Sequence, residues 1–374
     1  PCGTLFPYTT LFRSVGRVAT LKRMYDQIRA YDETAYVILE HFGDTQEENE
    51  LGAYGMLMWR NSHFDFVPAL IGDGGNLQSA NSTYHVSYME SHDEQRVMYE
   101  MQNFGQSEGN YDIANTAAAL ERAKMATAFL FLQPGPKMLW QFGELGYDLN
   151  INFNGRTGEK PLPWGASGLG YYEDELRQYV YDAYDAVLEL RNSYPQAIKQ
   201  EFFTGDLSST VKTITIDHSD IDIVAIGNFG TAFEDAAFQF TKTGDWYDYF
   251  SGETVSVSSV SATQTLQAGE FKIFTDIKVS DGFRNVVVPY QNPISVNPES
   301  FGLDTEITLT LDASQTLNQS EESLAGSDEI YMVAGLVTTN EDEKSFDITK
   351  GDLSDNSIGA LTNVEGDTWE ITLT

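Results

Sequence analysis

Two stretches of the chain place ionisable residues where an apolar run gives out. The first, AYVILEHFGD, passes through Tyr36–Leu39 and ends on Glu40 and His41; the second, HVSYMESHDEQR, runs from His85 to Arg96 and gathers Glu90, His92, Asp93, Glu94 and Arg96. Two carboxylates at one cleft can cleave a glycosidic bond. One protonates the leaving oxygen, and negative charge nearby stabilises an oxocarbenium-like transition state. A histidine beside them is a hydrogen-bonding partner, although His92 taken alone reads more readily as a structural histidine. Glu40 is harder to read as structural, because a carboxylate straight after Tyr-Val-Ile-Leu costs desolvation unless it is paired or used.

Such groups must stand at strand ends, and the pattern supplies strands. Val18, Leu21, Met24, Tyr25 and Ile28 fall at helical spacing, and Tyr36–Leu39 then reads as a strand buried on both faces of a parallel sheet. Tyr54–Trp59 (YGMLMW) reads as a second strand followed by a short helical turn in SHFDFVPAL, and HVSYMESHDE as a third. Ile113–Leu132 is a long Ala-rich helix, PKMLWQF after Gly135 a fourth strand, and Tyr171–Tyr194 an amphipathic helix stopped by Pro195. Alternation of helix and buried strand, without a Gly-rich nucleotide-binding turn, predicts an α/β fold of the (β/α)8 TIM-barrel kind. Glu40 and Asp93 are two βα units apart on this reading, which in a typical barrel takes roughly 60 residues. Four strands make the C-terminal half of a barrel, over 15–195. Short period-2 runs separated by Asp, Ser and Gly then predict an antiparallel β-sandwich over 196–276, a linker over 277–293, and a second, partial β-sandwich module over 294–374.

The chain has 56 Asp and Glu against 22 Lys and Arg, a formal charge of -34, which argues against a nucleic-acid partner. Its most apolar stretch, MATAFLFL, is too short to be a transmembrane segment. Thr4–Ser14 (TLFPYTTLFRS) resembles the in-frame translation of a sequencing adaptor, so residues 1–14 are expected to be non-native, and Cys2, the only cysteine, with them. No disulfide framework or cysteine-based site is then expected.

On these residues the chain resembles glycoside hydrolase family 13, the α-amylase family, and within it secreted amylases of the Bacteroidetes type. YVILEHF is similar to the family's strand-five region, YMESHDEQR to strand seven, and PGPKMLWQFGELG to strand eight, with a small β-domain following the barrel. The resemblance implies that Glu40 is the general acid/base, Asp93 the carboxylate that stabilises the transition state, and His92 a hydrogen-bond partner of the sugar in the cleaved subsite. Arg156, in GRTGEKPLPW, resembles an arginine that binds an outer glucose; Glu144 of the Gly-Glu pair is expected to orient its loop. Trp140, Trp164 and Trp246 are assigned no role in sugar binding, because aromatics of this kind are more often core.

The implied function is hydrolysis of α-1,4-glucosidic bonds in starch-like α-glucans by a retaining mechanism, in a secreted, cell-surface or periplasmic protein. No cofactor is visible, and calcium, if the parent protein uses it, would be bound ahead of Val15. The family's nucleophile, an Asp on strand four, would also lie ahead of Val15. The polypeptide is therefore expected to be an inactive, truncated piece that does not fold its half barrel stably. The last module resembles starch-binding domains more weakly. An alternative is a non-catalytic glucan-binding protein of a starch-utilisation system, which has no need of Glu40, His92 and Asp93 together. A different glucan or trehalose as substrate is left open.

Overall fold

Apolar residues set one side of a short parallel sheet against two helices. In the computed structural model, which describes residues 10–41, 43–109, 111–165, 167–283, 294–297, 306–313, 324, 327–331, 334–336, 348–350 and 359–373, the chain begins with α1 (Thr10–Tyr31). Then follow β1 (Ile38–Leu39), α2 (Thr45–Tyr54), β2 (Leu57–Asn61), α3 (His63–Leu70) and β3 (His85–Tyr88). The helix α1 takes in Thr10–Ser14 of the adaptor-like segment; Cys2 lies outside the described residues. Val18, Leu51, Met56 and Met58 are buried between α1, α2 and the sheet, with Leu21, Tyr25, Val37 and Leu39 packed on them. Met24 and Ile28, at the same helical spacing, stand exposed.

The three strands lie in the order β1-β2-β3, all parallel, with Leu39 beside Met58 and Asn61 beside Tyr88. Two expectations need correction here. The Tyr36–Leu39 run is not buried on both faces: β1 is a two-residue edge strand, half-buried, and Tyr36 is exposed. Tyr54 is not in a strand but ends α2, a helix whose signals are in the sequence: Asp44 caps it by accepting from the Glu47 amide, Glu47 and Glu48 fill its first turn, and Gly55 closes it at φ 118°.

After β3 come α4 (Val97–Phe104), a small hairpin of β4 (Ser107–Glu108) with β5 (Tyr111–Asp112), α5 (Thr116–Phe131) and α6 (Glu175–Ser193). The fourth strand expected over PKMLWQF is reduced to a single parallel bridge, Ser87 with Lys137, held by Ser87 N–H to Pro136 O (3.1 Å) and Met138 N–H to Ser87 O (3.0 Å). Pro134 and Pro136 have no N–H to give a ladder, and Gly135 sits at φ 83°, where a side chain would also meet Ser82 O at 1.8 Å. The order of parallel elements still continues one step past β3.

Eight strands build the antiparallel domain: β6 (Phe203–Thr204), β7 (Val211–Ile216), β8 (Ile223–Asn228), β9 (Glu234–Gln239), β10 (Gly244–Asp248), β11 (Thr254–Val257), β12 (Ser261–Leu266) and β13 (Phe271–Thr275). A six-stranded sheet β11-β10-β13-β8-β7-β6 faces the pair β12-β9 across Val224, Ile226, Phe238, Phe240, Trp246 and Phe274. Polar side chains tie this domain to the α/β part. The guanidinium of Arg122, on α5 and fully buried, donates to Leu70 O (2.6 Å), Ala69 O (2.8 Å), Phe229 O (2.6 Å) and Gly230 O (3.0 Å). Lys212 donates to Gly75 O (2.7 Å), and the Tyr249 hydroxyl to Ala186 O (2.7 Å).

The chain divides into two compact units, residues 1–106 with 113–289, and residues 107–112 with 290–374. In the second, β14 (Ile294–Asn297), β15 (Ile307–Asp312), β18 (Thr362–Glu365) and β19 (Thr368–Leu373) form a sheet in the order β14-β15-β19-β18, and β16 (Ala334–Leu336) pairs with β17 (Ile348–Lys350). Ala313, Ile330, Leu361 and Trp369 make its core. Most of the linker expected over 277–293 lies outside the described residues.

Replacing Arg122 by Met should orphan buried carbonyls on both sides of the junction, at about 1–3 kcal/mol for each one left unmet. Urea unfolding of Arg122→Met is expected to show stability lowered by at least about 3 kcal/mol. His85 gives a pH test. It is buried between Ser82 Oγ (2.6 Å) and Glu48 (3.3 Å), and burial, with the charge of Arg60, holds its pKa below the ordinary value. The unfolded chain then takes up the proton more readily, so stability is full above about pH 6.5 and is lost as pH falls below it. Thermal midpoints should drop less on acidification in His85→Gln than in the unaltered chain.

Candidate active site

Parallel pairing puts the C-terminal ends of β1, β2 and β3 along one edge, and with them Glu40, Asn61 and the Met89–Arg96 turn. The turn is shaped from beneath. Buried Glu90 accepts from the Val97 amide (2.7 Å) and from Arg96 Nη1 (3.2 Å), which also donates to Gln141 O (3.0 Å); the guanidinium lies 4.8 Å from the Tyr147 ring centre. Burial raises the pKa of the neighbouring Glu144 carboxyl, whose Oε2 has no hydrogen-bond partner. His63 bonds through Nδ1 to Met89 O at 2.9 Å.

Held this way, the turn offers His92 and Asp93 outward, with side chains 75% and 60% exposed, open to a ligand. His92 Nε2 lies 3.3 Å from Asp93 Oδ2. Arg156 reaches the same residue from the loop beyond Gly146: its Nη2 donates to Asp93 O at 2.7 Å and lies 3.4 Å from Asp93 Oδ1. Lys160 stiffens that loop by donating to Phe153 O and Gly155 O, both at 2.7 Å. His92, Asp93 and Arg156 are thus brought together. Glu40 stands exposed at the end of β1 and touches none of the three through a hydrogen bond. Burial raises the pKa of the Tyr88 phenol, and the negative charges of Glu94, Asp93 and Glu40 add to the effect.

Several members of this edge are not picked out by sequence reasoning. Asn61 Nδ2 donates to Glu94 Oε1, Ser91 Oγ donates to Glu94 Oε2, and Ser91 Oγ in turn accepts from the Asp93 amide at 3.1 Å. Trp140 approaches His92, ring centres 6.0 Å apart, and Trp59 meets Tyr88 edge to face. Trp164 is exposed, edge-on to Phe142, whereas Trp246 is core. Glu94 is visible in the charged cluster; nothing in the sequence pairs it with Asn61. Among the described residues no group of three or more His, Cys, Asp or Glu side chains is arranged to hold a metal ion, and no helix is long and apolar enough to cross a membrane.

The chain is similar to an α-amylase from Geobacillus thermoleovorans, complexed with acarbose, with a TM-score of 0.51 and 12% identity over 69% of this chain and 57% of that one. It is similar also to an Anoxybacillus α-amylase (TM-score 0.49, 12% identity, 68% and 55% of the two chains) and to the α-amylase of H. orenii (0.48, 12%, 72% and 59%). No family model matches the chain, and no curated protein matches its sequence. At such identity the likeness to the Geobacillus enzyme is one of fold: an α/β barrel part joined to a β-domain. The chain spans less than two thirds of that structure.

Because the side chains of Arg156 and Asp93 are 49% and 60% exposed, their pair should add little to stability, about 0–1 kcal/mol. Arg156→Ala is expected to leave the thermal midpoint within about 2 °C of the unaltered chain by differential scanning calorimetry. Any loss of ligand binding in that variant then reports on the site.

Proposed function

We propose that this chain carries the acid/base half of an α-glucan hydrolase site of the α-amylase kind. Glu40 is the general acid/base, Asp93 the carboxylate that stabilises the oxocarbenium-like transition state, His92 a donor to the sugar in the cleaved subsite, and Arg156 a ligand of an outer glucose. The observation that carries the reading is that Glu40 and the His92–Asp93 pair both follow the C-terminal ends of strands in one parallel sheet. The fold shared with the acarbose-bound Geobacillus amylase supports it.

The positions of Asp93 and Glu40 support their roles. Asp93 is held by Arg156 and exposed, so that its carboxylate can face developing positive charge. Glu40, free of ion pairs in the described structure and next to the half-buried end of β1, can pass a proton to a leaving oxygen and take one back from water. A retaining mechanism needs a further carboxylate as nucleophile. On the family resemblance it would come from a strand preceding β1, and in this chain the described element ahead of β1 is the helix α1.

Native electrophoresis through gels containing soluble starch should retard the chain, and His92→Ala and Asp93→Ala should remove at least about tenfold of that affinity, a difference of about 1.4 kcal/mol. Any release of reducing ends from the same starch is expected to disappear in Glu40→Gln, and the absence of any retardation would overturn the glucan reading.

A further inference from the structure

Between the ends of β2 and β3 lies a polar buckle that the roles above do not use. Asn61 is the last residue of β2, and its Nδ2 donates to Glu94 Oε1 across 33 positions of sequence. The other oxygen of Glu94 accepts from Ser91 Oγ. Ser91 is buried, and its oxygen, having given its proton to a carboxylate, accepts from the Asp93 amide at 3.1 Å. Asn61 is itself fixed, because its Oδ1 accepts from the His63 amide at 2.9 Å. The direction of every bond is determined. Asn61 can only donate through Nδ2, an ionised Glu94 can only accept, and Ser91 must therefore donate to Glu94 and accept from Asp93.

We propose that Glu94 is a positioning residue for the glucan site: clamped by Asn61 and Ser91, it sets the backbone of Asp93 and registers the end of β3 against the end of β2. The inference rests on the glucan-hydrolase reading for its purpose, but not for its geometry. Two physical points make Glu94 more than one polar contact among many. A charged acceptor strengthens the serine O–H bond, and a polarised hydroxyl is in turn a better acceptor, so the hold on the Asp93 amide depends on the charge of the neighbouring residue. The buckle also fixes only one end of Asp93; Arg156 fixes the carbonyl and the carboxylate from the opposite side. Without Glu94 the hold on the Asp93 amide would weaken, and the carboxylate of Asp93 would be freer to swing away from the edge that carries Glu40.

The polarity can be reversed, and that gives the test. Glu94→Gln either sets an amide N–H₂ against Asn61 Nδ2 or turns the Ser91 hydroxyl round to accept from the glutamine, so that Ser91 loses its charged acceptor. Asn61→Asp sets two carboxylates against each other. The double variant Asn61→Asp with Glu94→Gln restores a consistent chain, in which the carboxylate introduced on β2 accepts from the glutamine amide, the glutamine oxygen accepts from Ser91, and the His63 amide keeps its acceptor. In the full chain, the amide proton and nitrogen resonances of Asp93 are followed together with acarbose affinity by calorimetry and the thermal midpoint. Each single variant is expected to move the Asp93 amide resonance and weaken acarbose about tenfold, a change of about 1.4 kcal/mol, and the double variant to recover most of both. Ser91→Ala, the smallest change, should move the same resonance, and it decides the matter should either single variant fail to fold. An Asp93 amide that does not move in Glu94→Gln or Ser91→Ala, or a folded double variant that recovers nothing, would overturn the proposal. If the unaltered chain binds no acarbose, the glucan reading fails by itself, and the amide resonance still decides whether Glu94 positions Asp93.

Discussion

Parallel pairing of β1, β2 and β3 is the constraint from which the site follows. Strands that run the same way must be joined by crossovers, and α2 supplies one such crossover on the covered face of the sheet. All three C-terminal ends then fall on one edge, however far apart they are in sequence. Glu40 and Asp93 come to stand at the same edge of the sheet for this reason. The Met58–Leu39 and Asn61–Tyr88 register pins the edge to within one residue, because a slip of one would turn Asn61 and Tyr88 to the helix side.

The charge of the chain is distributed with a division of labour. Of only 22 cationic side chains, several lie inside, where they meet main-chain carbonyls. Arg122 gathers four of these at the junction with the β-domain, and Arg177 serves Leu145 and Gly146 while pairing with Asp148. Arg96 holds Glu90 and Gln141 under the β3 turn. Most acidic groups stay in water, where they need no partner. Among those that do not, Glu90 and Glu144 lie behind the candidate site, one paired and the other pushed toward its neutral form. Buried guanidinium groups thus organise the loops, and the exposed carboxylates are left for the cleft.

Much of the architecture can be read from residue pattern, and the failures have physical causes. The helices α3, α5 and α6 are legible because their apolar periodicity or length is strong. The helix α2 escapes such a reading because TQEENELGAY is nearly all polar, and its capping residues are the only signal. PKMLWQF looks like a strand by composition, but the Pro-Gly-Pro turn before it removes the donors that a ladder needs. β10 and β12 are hard to see because GDWYD and SATQTL alternate weakly, their partners across the sheet supplying the missing apolar surface.

By itself the sequence determined which residues had the chemistry for the site, since Glu40, His92 and Asp93 are placed where apolar runs end, and a strand end is a local property. It also determined the change from helix-and-strand to period-2 texture after Pro195. The tertiary structure alone decided what those residues touch. Arg156 is 63 positions from Asp93, and Asn61 is 33 from Glu94; no local rule relates them, because their meeting depends on strand order and on where one loop folds back. It decided, too, that Tyr36–Leu39 is a half-buried edge and not a strand buried on both faces, because burial is a property of what packs on a segment and not of the segment.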